Sequence, residues 1–416
     1  MANDIQLTTS WARQPLPAGV AQVAYLLIEA RPTLQAAPSA PLTFVMVLDR
    51  SGSMDGAKID HLKHAVTQAL GMLRPDDLVA IVVFDETAEV IVPLQPASDL
   101  ALLNNRVEAI RVQGGTAMSG GLELALAELR RGLAPERNAH VLVLTDGQTW
   151  GDEDRCRALA AELGSLGARI TALGLGDEWN EQLLDDLAAA TGGTSDYIAQ
   201  PQAIERVFQR VTHTAQTTII RHARLLVRLA REVTPRAVYR VRPLIANLGY
   251  KPLGEREISV DLGDVPSDTG VALLAELLLP ARPAGEYRIA QAEMTYDVPS
   301  QQRLDQRVRT EAPLRFTANT AEVAVDPAIM NLVERVTAFK LQTRALQEAA
   351  AGNLAGATQK LRSAATRLLD LGELELAETM QRAAEAAAQG QLPSAADQKE
   401  LTYRTRRLTL KDLTDS

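Results

Sequence analysis

Five oxygen-bearing side chains stand out by type and spacing. Asp49-Arg50-Ser51-Gly52-Ser53 sets one carboxylate and two hydroxyls at alternate positions, with Gly52 free to turn tightly between them. Thr116 follows the pair Gly114-Gly115 just before a predicted helix at 119–132, and Asp146 stands in Thr145-Asp146-Gly147 at the end of the apolar run Val141–Leu144. Brought together, Asp49, Ser51, Ser53, Thr116 and Asp146 form an all-oxygen donor set suited to a hard divalent cation, Mg²⁺ first, with Mn²⁺ or Ca²⁺ as alternatives. Each residue alone has a plainer reading. The aspartates and Thr116 can cap helices, and the serines can be turn residues. All five at the ends of strands favour the ion.

Other chemistries lack their residues. The phosphate loop G-x-x-x-x-G-K-[ST] is missing, and neither Gly120-Gly121 nor Gly174-Leu175-Gly176 fits the dinucleotide fingerprint. His61 and His64 share a helix face without a third ligand, so they read as solvated histidines. Cys156 has no histidine partner and reads as a buried or half-buried helix residue. Ser51 lacks an evident base. No catalytic residue and no nucleotide-type cofactor is assigned.

The positioning elements follow from periodicity. Phe44–Leu48 is an unbroken apolar run of strand formers, as in a strand buried on both faces. The amphipathic stretch after it, 57–73, is helical. From 42 to about 213, strands at 43–49, 78–84, 89–93, 140–146, 169–174 and 195–199 alternate with helices near 57–73, 99–110, 119–132, 153–165, 180–190 and 202–213. Such alternation predicts a doubly wound, Rossmann-like parallel sheet with 89–93 as an antiparallel edge. Its ligand crevice lies at the carboxyl ends of the strands, where Asp49 and Asp146 would flank it.

Outside this domain the pattern changes. Residues 1–41 have strand chemistry at 20–29 and end in the break Ala37-Pro38-Ser39-Ala40-Pro41. Residues 214–321 alternate in strand-length pieces separated by Pro-, Gly- and Asp-containing turns, which predicts a β-sandwich that the N-terminal strands would join. Residues 322–416 turn helical, with breaks at Gly352, Gly372 and Gly390. The basic stretch Lys399–Leu410 reads as a solvated helix face or tail. The fold expected is multidomain α/β: a doubly wound domain, 42–213, inserted in a β-sandwich made of 1–41 and 214–321, with a C-terminal helical region, 322–416.

At 416 residues the chain has room for several domains and a sizeable core. The net charge of −9 argues against a nucleic-acid partner. One cysteine excludes an internal disulfide, and neither a signal peptide nor a membrane span is expected, so the predicted location is cytoplasmic.

The ordered set Asp49-x-Ser51-x-Ser53, Thr116 and Asp146 resembles the metal-ion-dependent adhesion site of von Willebrand factor type A domains, over about residues 42–210. The resemblance implies that Ser51, Ser53 and Thr116 contact the ion, that Asp49 and Asp146 act directly or through water, and that a partner protein's Asp or Glu completes the shell. The expected function is therefore non-catalytic: docking an acidic residue of a protein partner on the cation and assembling a complex. Two alternatives stay open. One is a Mg²⁺-dependent, phosphatase-like hydrolase, which would need an acid where Ser51 stands. The other is a scaffold acting mainly through its sandwich and helical regions.

Overall fold

The computed structural model describes residues 4–33, 40–134, 136–254, 256–391 and 394–409. The 37–39 part of the proline-rich break, Pro393 and Leu410 lie outside the described residues. The chain divides into two compact units, one of Ala36–His222 and Asp297–Leu304, the other of Met1–Gln35, Ala223–Tyr296 and Asp305–Ser416.

Two N-terminal strands, β1 (Ile5–Trp11) and β2 (Gln22–Pro32), pair antiparallel before the first unit begins. That unit contains β3 (Leu42–Asp49), β4 (Leu78–Phe84), β5 (Ala88–Pro96), β6 (Asn138–Thr145), β7 (Arg169–Leu175) and β8 (Thr194–Ile198). They form one sheet in the order β8-β7-β6-β3-β4-β5. β3 lies parallel to β4 and to β6, with Val45 opposite both Ala80 and Val141. β5 is the antiparallel edge, with its register shifted by bulges. Every residue of β3 is buried, as a central strand covered on both faces requires.

Helices cover the two faces. On one, Leu62, Val66 and Leu70 of α1 (Ala57–Met72) and Ile204 and Phe208 of α6 (Ile204–Thr217) pack on Phe44, Met46 and Leu48; Leu103 and Val107 of α2 (Leu100–Glu108) join the same core. On the other, α3 (Met118–Arg131) comes very close to the sheet. A Cβ on its Gly121 would lie 2.9 Å from Val47 Cγ1, so glycine sets that approach. α4 (Glu153–Ser165) and α5 (Glu181–Ala190) complete this layer. All the predicted strands and helices of 42–213 are present, with ends displaced by a few residues; α6 runs on to Thr217.

The second unit carries β9 (Ile220–Leu229), which begins at the end of the first unit, then β10 (Thr234–Arg242), β11 (Glu257–Val265), β12 (Val271–Leu279), β13 (Gly285–Val298) and β14 (Arg303–Thr317). β2 pairs antiparallel with β12, from Ala30 opposite Val271 to Gln22 opposite Leu279. Strands that precede the α/β unit thus hydrogen-bond to strands that follow it. One sheet is β1-β2-β12-β10 with the short strand Ala246–Asn247; the other holds Lys251–Gly254, β11, β9, β13, β14 and Leu16–Pro17. The long strand β14 was not expected from sequence. Its run RLDQRVRTEAPLRFT is so charged that its alternation is faint, yet Val308, Ala312, Leu314 and Phe316 are buried.

Four helices follow: α7 (Pro327–Ala350), α8 (Leu354–Asp370), α9 (Leu374–Ala388) and α10 (Ala395–Arg406). Asp326 caps α7 and Asn353 caps α8 through side-chain oxygens. Val333, Val336 and Phe339 of α7 share a core with Leu27, Tyr239 and Leu274 of the five-stranded sheet. The expectation of a solvated segment at Lys399–Leu410 is corrected here. Lys399, Leu401, Tyr403, Thr405 and Leu408 are buried, and Gln342 of α7 donates to Thr402 Oγ1 at 3.1 Å and accepts from Thr405 at 3.3 Å. The arginines drew attention to one face of α10, while its apolar residues pack on the other helices. Leu401→Ala is expected to lower the stability of this unit by roughly 3 kcal/mol, read as a lower urea midpoint; an unmoved midpoint would return the segment to a solvated tail.

Candidate metal centre

The loop after β3 is shaped by its own side chains. Asp49 is fully buried, and its Oδ1 accepts the Ser51 N–H at 2.8 Å, closing a tight turn. Its Oδ2 accepts the Thr145 hydroxyl at 2.6 Å, which ties the end of β3 to the end of β6. Gly52–Met54 form a single 3₁₀ turn, and Gly56, at φ +76°, leads into α1. Ser51 Oγ lies 3.1 Å from Ser53 Oγ, and Ser53 donates to Asp146 Oδ1 at 2.6 Å. The second oxygen of Asp146 accepts from Lys58 Nζ at 2.5 Å.

Thr116 reaches the same place. A Cβ built on Gly147 would sit 3.3 Å from Thr116 Oγ1 and 3.6 Å from Ser53 Oγ, so both hydroxyls border the space over that glycine. The structure therefore brings Asp49, Ser51, Ser53, Thr116 and Asp146 into one cluster at the carboxyl end of β3 and β6. His61 and His64 lie apart from it, against Glu205 of α6 and Gln68 of α1. Cys156 is buried, and burial first, then the Asp152 carboxylate, pushes its thiol up to about 12, so it is no nucleophile at neutral pH.

A frame of backbone hydrogen bonds locks the loops together. Arg50 N–H donates to the Phe84 carbonyl at 2.9 Å, Gln113 N–H to the Arg50 carbonyl at 2.8 Å, Gly52 N–H to the Gly114 carbonyl at 2.9 Å and Ala117 N–H to the Asp85 carbonyl at 2.7 Å. The Arg50 guanidinium clamps Asp85 at 2.6 Å and Glu89 at 3.1 Å. Burial alone would raise the Asp85 carboxyl, but hydrogen bonds from the Thr87 N–H and Arg50, with the charge of Arg50, hold it below the usual range. Sequence reasoning passed over Lys58 and Asp85, which lie outside the spaced motif, and it named Thr145 and Gly147 only as the neighbours of Asp146. Their signal is only their place at a strand end or one turn into α1.

The donor set is two carboxylates and three hydroxyls, all hard oxygens, which fits Mg²⁺, Mn²⁺ or Ca²⁺. The ammonium of Lys58 lies against Asp146 as the positive charge that such a pair demands. Among the described residues no three His, Cys, Asp or Glu side chains gather as a metal site, so a zinc site of that kind is not found there.

The geometry agrees with the family comparison: residues 44–210 match the von Willebrand factor type A domain. Residues 327–411 match the Sll0103-like, C-terminal alpha-helical domain. Domains of the first family typically mediate protein–protein interaction. Among curated relatives, the chain is 29% identical over 330 residues to the uncharacterized protein sll0103 of Synechocystis, covering 78% of both chains. To the uncharacterized protein YfbK of Escherichia coli it is 23% identical, covering 58% of this chain but 42% of the relative. Among solved structures, a von Willebrand factor type A protein from Catenulispora acidiphila superposes with TM-score 0.74 at 19% identity over 98% of each chain. The ArnB paralog VWA2 of Sulfolobus acidocaldarius gives 0.52 at 15% identity, over 97% of this chain and 98% of that one. At those identities the likeness is one of fold.

Burial raises the Asp49 carboxyl from 3.8 to about 6; hydrogen bonds from Ser51 and Thr145 oppose the rise, and the charge of Asp146 adds to it. The folded state then holds this proton more tightly than the unfolded state. The resulting stability is complete below the unfolded value of 3.8 and is lost as pH rises through about 6. In chelator, Asp49→Asn should therefore gain on the parent chain by up to about 3 kcal/mol between roughly pH 4 and pH 7, measured by urea unfolding at each pH. A difference that stays constant with pH would contradict the burial cost assigned to Asp49.

Proposed function

We propose that the protein is a non-catalytic interaction module that docks an acidic residue of a protein partner on a divalent cation and so assembles a complex. The cation would be held by Asp49, Ser51, Ser53, Thr116 and Asp146, with Mg²⁺ the expected ion. When bound, it supplies a Lewis-acidic coordination position for a carboxylate oxygen. The observation that carries this reading is the hydrogen-bonded chain Ser51–Ser53–Asp146, with Thr116 beside it, at the ligand end of a parallel sheet.

The chain's own residues do the rest. Hydroxyls rather than further carboxylates keep the charge of the donor set low, so a bound cation keeps its attraction for an anion. Asp49 and Thr145 hold the ends of two strands together, and Arg50 with Asp85 fixes the loop that carries the serines. The hydrolase alternative has no observation in its favour, since Ser51 stands where it needs an acid and its hydroxyl turns to Ser53.

The domain reading that goes with this function is 1–41 and 214–321 as a β-sandwich, 42–213 as the inserted type A domain with its complete adhesion motif, and 322–416 as the helical region. Burial of both alternating sets in the five-stranded sheet, Leu26 and Ile28 on one face and Leu27 on the other, supports two covered faces. No helix among the described residues is long and apolar enough to cross a membrane. A cytoplasmic location remains part of the proposal, resting on the single cysteine.

Mn²⁺ binding followed by electron paramagnetic resonance tests the centre. Ser53→Ala and Asp146→Ala should each weaken binding by at least about tenfold. Lys58→Met, which removes the competing ammonium, should strengthen it. Recovery of partners from lysate should fall together in EDTA and in Ser53→Ala; equal recovery in all samples would favour the scaffold alternative.

A further inference from the structure

Trp150 is 78% exposed. Every other Trp, Tyr and Phe of the chain is buried or half-buried. The exposed indole lies four residues after Asp146, so its Cα is within about 14 Å of that aspartate's.

The loop that displays it is held firmly. Thr149 Oγ1 accepts the Met118 N–H at 3.2 Å and donates to the Asp152 carboxylate. Asp152 in turn accepts the Ser119 N–H at 2.8 Å, and Glu153 accepts the Gly151 N–H at 2.9 Å. The hydrogen bonds on both sides of Trp150 anchor the loop to the start of α3, next to Thr116. A large side chain on a fixed backbone loses little entropy when it is covered, which is the usual character of an interface anchor.

The loops at this end of the sheet are acidic. Asp55, Glu86, Asp177 and Glu178 are exposed there. Among the described residues of these loops Arg111 is an exposed base, Arg155 in the first turn of α4 is paired with Glu123, Arg50 is buried in its ion pairs and Lys58 lies on Asp146. A partner bringing one carboxylate to the metal must bring it through this negative field. Basic neighbours on the partner would offset that repulsion, and a guanidinium or ammonium stacks well on an indole face.

We propose that Trp150 is a specificity-determining anchor beside the metal centre, and that the partner it fits is a protein loop carrying one Asp or Glu flanked by Arg or Lys. This inference rests on the metal-docking reading above. The cation takes the carboxylate, Trp150 takes the flanking cationic side chain, and the acidic rim disfavours loops with acidic flanks.

The test uses the full chain with three capped peptides as probes: Arg-Ala-Asp-Ala-Arg, Glu-Ala-Asp-Ala-Glu and Arg-Ala-Asn-Ala-Arg. Each is titrated by ligand-observed NMR, with Mg²⁺ or with EDTA. The first peptide is expected to bind about tenfold or more tighter than the second, and to lose that binding in EDTA. Trp150→Ala should cost about tenfold for the first peptide, with Trp150→Phe largely retaining it. Mg²⁺-dependent binding that is indifferent to Trp150→Ala, or to the sign of the flanks, overturns this inference and leaves metal docking standing. Equal binding of the Asp and Asn peptides, or binding unaffected by EDTA, overturns metal docking itself. No binding by any peptide counts against both.

Discussion

Two aspartates buried at the ends of neighbouring parallel strands create a charge that the rest of the α/β unit must accommodate. Asp49 is shut away from water and accepts from Ser51 and Thr145, yet burial still raises its pKa. Asp146 is equally buried and takes Ser53 and Lys58 as partners. Hydrogen bonds soften the cost of a buried carboxylate without replacing a counter-ion. Lys58 brings a counter-charge to Asp146, whereas Asp49 rests on the hydrogen bonds from Ser51 and Thr145. Selective burial of the two acids, rather than any one side chain, makes the strand ends a candidate site.

Positioning falls to residues outside the donor set. The Arg50 side chain spans from the serine loop to Asp85 and Glu89 at the β4–β5 hairpin, and backbone bonds through Gln113, Gly114 and Ala117 carry the same link to the Thr116 segment. Glu86 packs its side chain on Gly114 and Gly115, where a Cβ would come within 3.2 Å of its Cγ. The three loops are thus one hydrogen-bonded body. Hydroxyl donors at separate places in the chain can keep a common geometry only if their backbones are fixed in this way.

What could be read from the sequence follows the physical strength of each signal. β3 announced itself because a strand buried on both faces must be apolar throughout, and Asp49 ending such a run is conspicuous. The alternation of strand and helix gave the parallel sheet, and the spacing of Asp49, Ser51 and Ser53 pointed to the loop where the oxygen-bearing side chains meet. β14 was hidden because its outward face is crowded with Arg, Asp and Glu. α10 misled because its charges are more visible in sequence than Leu401 and Tyr403. Lys58 and Trp150 belong to no motif. Their importance lies in which atoms they face, or fail to face, and that exists only after the loops have closed.

The way the α/β unit joins the chain bears on how its site can be used. The Asn138 N–H donates to the Pro41 carbonyl at 2.8 Å, and its side-chain amide donates to the Thr218 carbonyl at 2.8 Å. The chain just before β3 and the chain just after α6 therefore meet at one residue, the first of β6. A segment whose two ends coincide can be carried between strands of another sheet without opening a gap between them. β6 then runs eight residues, about 26 Å at the usual strand rise, from that junction to Thr145, next to Asp146. The covalent attachments lie at the amino end of the strand and the donor cluster lies at the carboxyl end. The Pro41–Asn138–Thr218 junction and the Asp49–Asp146 cluster thus stand at opposite ends of one buried strand.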